Sequence, residues 1–177
     1  MNIVCRICRS WILRQRIESQ RPRLERVAFA WGHDAVLARH LADIAGRTAA
    51  RDVSLFRDGS RLRVTLFRAL LDGFRAYQRD YREVLSFAPG EKMSAARRPM
   101  VRRVRQALRQ LDDLQRLIVA LVDLGGCSYT EASQVLEIPR SELVAQLCHA
   151  RVHLKMQLFD AVRTGTPTAQ FQQWRTK

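Results

Sequence analysis

The sequence predicts an all-α protein: two small helical domains joined by a basic linker, the second carrying a helix-turn-helix. Three observations lead there. Glycine (8) and proline (5) are scarce in 177 residues, while Leu, Ala, Arg and Gln, which lose little rotamer freedom in a helix, are abundant. Apolar residues recur at i, i+3 and i+4 over long stretches instead of alternating. Clusters of turn-forming residues cut those stretches at only a few places. Hydrophobic residues make up 47% of the chain, enough for a core and too many for a wholly disordered polymer.

Residues 1–21 form a basic amphipathic N-terminal extension. Ile3, Val4, Ile7, Trp11 and Ile12 recur at helical spacing between arginines. Such a stripe reads first as a helix docking on the body, and second as a helix for an anionic surface or a partner. The first domain is read over residues 22–86. Pro22 suits the first turn of a helix, with Leu24, Val27, Ala28 and Trp31 on one face. Gly32-His33-Asp34 interrupts it, and Asp34 is placed to cap the next helix, whose stripe is Leu37, Leu41 and Ile44. Residues 56–60, Phe-Arg-Asp-Gly-Ser, read as a turn. A third helix over 61–84 turns Leu62, Leu66, Phe67, Leu70, Phe74 and Tyr77 inward and Arg61, Arg63, Arg68, Arg75, Arg79 and Arg82 outward.

Residues 87–106 read as the linker, with Pro89-Gly90 and Pro99. From Lys92 to Leu111 there are seven basic residues and no acidic one. The second domain spans 107–160 and a tail covers 161–177. Asp112 and Asp113 suit a helix start. Leu114, Leu117, Ile118, Leu121 and Leu124 form its stripe, and Gly125-Gly126 its end. Ser128-Tyr129-Thr130-Glu131 is a capping box opening a short helix, with Ala132, Val135 and Leu136 inward. Glu137-Ile138-Pro139 is a turn. A longer helix follows from Arg140, with Leu143, Leu147, Ala150 and Leu154 on its inner face.

A short helix, a tight turn and an exposed longer helix make a helix-turn-helix. Its second helix enters the major groove with its first residues against base edges. Those are Arg140, Ser141, Glu142, Ala145, Gln146 and His149, with Tyr129, Thr130 and Arg151 set to hold phosphates. A plain helical hairpin has the same spacing. The charge favours nucleic acid: 31 Lys plus Arg against 17 Asp plus Glu leave +14, a field that draws polyanions.

Residues 111–154 resemble the C-terminal promoter-binding domain of extracytoplasmic-function sigma factors of the sigma-70 family. Arg116 on the leucine-rich helix, Leu124-Gly125-Gly126, the Ser128–Glu131 box, Leu136, Ile138-Pro139, and the Leu147, Ala150-Arg151, Leu154 register carry the likeness. Leu24 to Arg82 resembles the family's N-terminal domain through Trp31-Gly32-His33-Asp34, Leu37-Ala38, Leu41-Ala42-Asp43-Ile44 and Leu66-Phe67-Arg68. The resemblance implies core RNA polymerase, promoter DNA and an anti-sigma factor as partners. It places Asp34, Asp43 and Arg47 toward polymerase, and Arg68, Asp72, Arg75 and Arg79 toward the melted promoter element. It implies a cytoplasmic protein that is no enzyme and takes neither cofactor nor small-molecule substrate. Gly46, Arg47, Thr65 and Val144 differ from the family's usual residues, leaving open a sigma mimic that binds an anti-sigma factor in place of DNA. Glu137 stands where glycine often supplies a left-handed turn, at a cost of about 1 kcal/mol. A basic membrane-associated protein using residues 1–21 is the reading from another class.

Cys5-Arg6-Ile7-Cys8 has the spacing of a metal or redox pair, but no second such pair accompanies it. Cys127, Cys148, His149 and His153 are the other candidate ligands, and small buried hydrophobes are the simpler role for the cysteines. No run is long enough to span a bilayer. No phosphate loop, dinucleotide turn or Ser-His-Asp arrangement stands out, and the expectation is no metal.

Overall fold

The computed structural model describes residues 3–82, 104 and 106–164, and these contain helices and no strand. The expected linker therefore lies almost wholly outside the described residues, as does the tail beyond Thr164.

Helix α1 (Ile3–Gly32) runs without interruption through Pro22. This corrects the expectation of a helix beginning there. Proline forfeits one i→i−4 bond and crowds the preceding turn, but the buried stripe passes straight across it: Leu13 and Ile17 before, Leu24, Val27, Ala28 and Trp31 after. Arg21 braces the same spot, lying 3.6 Å from Glu18 and 3.1 Å from Glu25 while also pairing with Asp43. Ile7, Trp11 and Ile12 of the apolar stripe expected to dock turn outward instead. Ile7 is 64% and Trp11 63% exposed, because Leu13 and Ile17 already occupy the inner face.

His33 takes a left-handed conformation, φ 57°, and reverses the chain. Asp34 then caps α2 (Ala35–Ala49), its carboxylate accepting from the amides of Val36 at 2.7 Å and Leu37 at 3.1 Å. The buried face of α2 is Leu37, Ala38, Leu41, Ala42, Ala45 and Ala49, mostly small, so α1 and α3 approach closely on either side. A 3-10 turn (Val53–Phe56) capped by Asp52 leads to Asp58, whose carboxylate accepts from the amides of Ser60 and Arg61. Helix α3 (Gly59–Arg82) follows, burying Leu62, Leu66, Phe67, Leu70, Leu71 and Phe74.

Residues 106–109 are helical again. Helix α4 (Asp113–Val119) begins beside Asp112, which makes no side-chain cap bond. It widens into a π turn (Ala120–Leu124), closed by the Gly125 amide donating to the Ala120 carbonyl at 2.8 Å. Helix α5 (Tyr129–Leu136) and helix α6 (Arg140–Thr164) complete the chain. The buried residues of α1 to α3 and those of α4 to α6 belong to one continuous apolar cluster.

Candidate nucleic-acid interface

The helix-turn-helix is built from local chemistry. Gly126, at φ 68°, lets the chain leave α4, a backbone region glycine enters without the Cβ penalty. Ser128 and Glu131 then close the capping box: the Glu131 amide donates to Ser128 Oγ at 3.2 Å, and the Ser128 amide donates to Glu131 Oε2 at 2.8 Å. Helix α5 ends on Glu137 at φ 58°, ψ 37°, the left-handed cap that the sequence implied. Ser133 Oγ donates to the Ile138 carbonyl at 2.6 Å and ties the turn to α5.

Helix α6 buries Leu143, Leu147 and Ala150. That register leaves Arg140, Ser141, Glu142, Ala145 and His149 exposed along its first three turns. An arginine fork, a hydroxyl, a carboxylate and an imidazole there offer the donor and acceptor types that base edges require. Gln146 is half-buried, its amide oxygen accepting from Gln115 Nε2 at 3.2 Å. Thr130 is exposed and Tyr129 half-buried. Arg151 is engaged within the protein: it forms an ion pair with Asp123, and the nearby oxygens, Asp123 first and then Tyr129, raise its already high pKa. It clips α6 to the π turn.

The candidates on the first domain are split. Asp72, Arg75 and Arg79 are exposed on α3. Arg75 borders a cleft of about 210 Å³ with Trp31, Phe74 and Arg116. Arg68 reaches across to the second domain, donating to the Gln134 carbonyl and lying 3.3 Å from Glu137. Of the residues assigned to polymerase, Asp34 is spent on capping α2 and Asp43 pairs with Arg21, while Arg47 is exposed.

Sequence reasoning missed the contact that joins the halves. Glu131 is 3% exposed and is the only buried charged residue among those described. Besides its capping duty, its Oε1 accepts from Ser60 Oγ at 2.9 Å, Arg63 Nε at 3.0 Å and Arg63 Nη2 at 2.7 Å. Burial pushes its carboxyl upward, but the bonds from Ser128, Ser60 and Arg63 outweigh it, and the net direction is down. The start of α5, which in a helix-turn-helix lies along the DNA backbone, therefore sits against α3. Gly125 packs beside it. A Cβ there would lie 3.0 Å from Phe67 Cζ and 3.1 Å from Val27 Cγ2. No sequence pattern flags a partnership across 68 residues; the capping box accounted for Glu131 already.

Residues 101–154 match the family model for sigma-70, region 4. That match takes in α4, α5 and the first part of α6. The fold of the chain is similar to that of the sigma factor RpoE in a co-crystal with the anti-sigma factor NepR from Bartonella quintana, at a TM-score of 0.66. The likeness covers 81% of this chain and 94% of that one at 22% identity. A search among curated proteins gives no sequence match. Among the described residues, the chain thus has the all-α layout and helix-turn-helix expected from the resemblance. Among the described residues, no helix is long and apolar enough to cross a membrane.

Proposed function

We propose that the protein is an alternative sigma factor of the extracytoplasmic-function type, recruiting core RNA polymerase to particular promoters in the cytoplasm. The observation that carries this reading is the open first three turns of α6 within a region 4 domain: Arg140, Ser141, Glu142, Ala145 and His149 face solvent while Leu143 and Leu147 anchor the helix. They read the upstream promoter element, with Gln146 joining them once it leaves Gln115, and Tyr129, Thr130 and Arg151 steadying the phosphates. Arg68, Asp72, Arg75 and Arg79 engage the melted element. The face carrying Asp34, Asp43 and Arg47 meets polymerase, which supplies the chemistry.

The arrangement described here is a closed one. Arg68 is taken up by Gln134 and Glu137, and the α5 start is covered by α3. Use of both DNA-facing surfaces requires the Arg63–Glu131 contact to part. A closed chain is also the form that suits capture by an anti-sigma factor, the partner seen in the RpoE co-crystal.

Transcription in vitro on sheared genomic DNA with core RNA polymerase tests the reading. Defined start sites that disappear with Arg140→Ala support it. Absence of both polymerase co-elution and any start site overturns it. Affinity for promoter DNA should fall steeply with added salt, because each arginine on a phosphate releases counterions.

A further inference from the structure

Helix α1 has two apolar faces, and the fold uses only one. Leu13 and Ile17 point into the body, where Ile17 abuts Gly46 and Leu13 is 1% exposed. On the other side Ile7 is 64%, Trp11 63% and Ile12 37% exposed, three of the six large apolar side chains left in solvent among the described residues. At roughly 100° per residue, Ile7, Trp11 and Ile12 span an arc of about 140°. Arg14 borders that arc on one side, and Arg9 and Arg16 on the other. Residues 1–21 hold five arginines and one acid, Glu18, which falls in the same angular sector but about two turns further along the axis than Trp11, where it pairs with Arg21 at 3.6 Å.

We propose that this outward face of α1 docks the protein on an anionic lipid surface. The layout is that of an interfacial helix: an apolar strip with a tryptophan at its middle, arginines along both margins, and no acid beside it. An indole suits the boundary between water and acyl chains, being apolar in body and polar at one edge. Arginine margins supply attraction to lipid phosphates, and the net +14 of the chain draws it to the same surface from a distance. The charge decides against an apolar protein groove as occupant, since such a groove would gain nothing from three flanking arginines. A second copy of this chain is disfavoured more strongly, because like charges would face each other.

The full chain is floated with vesicles of phosphatidylcholine mixed with phosphatidylglycerol, and with phosphatidylcholine alone. The expected result is binding to the anionic vesicles, reduced about tenfold or more by Trp11→Glu and by Ile7→Glu, with weaker binding to the neutral ones. Both side chains are exposed, so circular dichroism and melting temperature should match the parent. Three results would overturn the proposal: no flotation of the parent; flotation of both variants at the parent's level, which would mean attraction by overall charge alone; or Trp11-dependent self-association or capture by an acidic helical peptide without flotation.

Discussion

Replacing Glu131 by alanine probes how the two domains are held together. The side chain accepts two bonds from Ser128, its amide and its hydroxyl, and three bonds from α3 through a single buried carboxylate. Loss of the reciprocal cap costs about 1 kcal/mol. Loss of charge-assisted bonds to Arg63 costs about 1.5–3 kcal/mol, at the lower end because the Arg63 side chain is 32% exposed and regains water. Glu131→Ala should therefore destabilise by about 2–4 kcal/mol in urea unfolding. A cycle with Arg63→Ala should return a coupling of about 1–2 kcal/mol. A loss under about 0.5 kcal/mol, or no coupling, would refute the contact as a joint between domains. Acid gives an independent check. Glu131 titrates below its ordinary value of 4.5, so its contribution is complete above that value and drains as pH falls through the lower folded one. Glu131→Gln should accordingly flatten the acid limb of the stability curve.

Three further outcomes follow from the second domain. Glu137→Gly should stabilise by about 0.5–1 kcal/mol, since glycine accepts the left-handed cap and the ion pair given up with Arg68 is solvent-exposed and weak; a loss in thermal melting would show that the pair outweighs the backbone strain. Leu147→Ala removes a side chain 1% exposed and should cost about 2–5 kcal/mol by calorimetry or denaturant. Cys127 is buried and its thiol is pushed up to about 12, chiefly by desolvation, so a disulfide reagent near neutral pH should label the exposed Cys8 and Cys148 promptly and Cys127 only on unfolding. Labelling of Cys127 as fast as the others would contradict its burial.

Local chemistry was legible in the sequence. Asp34 as a cap, Ser128 and Glu131 as a box, Glu137 as a left-handed residue and the inner faces of α3 and α6 each rest on neighbours within four positions. What was not legible involves competition over distance. Pro22 reads as a helix start on its own backbone preference, yet the apolar register on both sides of it is continuous and prevails. Ile7 and Trp11 read as core by period, yet Leu13 and Ile17, shifted by most of a half-turn, hold the inner position. Arg63, Arg68 and Arg151 read as a solvated or DNA-facing set, but each has an oxygen partner, and those partners are set by tertiary packing.

The unbroken course of α1 changes what can be cut from this protein. A segment that reads in the sequence as an N-terminal extension shares one rod of about 45 Å with Val27 and Trp31, and it owns two of the rod's footholds in the core. Truncation after residue 21 would amputate Leu13 and Ile17 and leave a proline at a raw helix end. The role of this end of the molecule is best dissected by single exchanges on its outer surface, with the rod left whole.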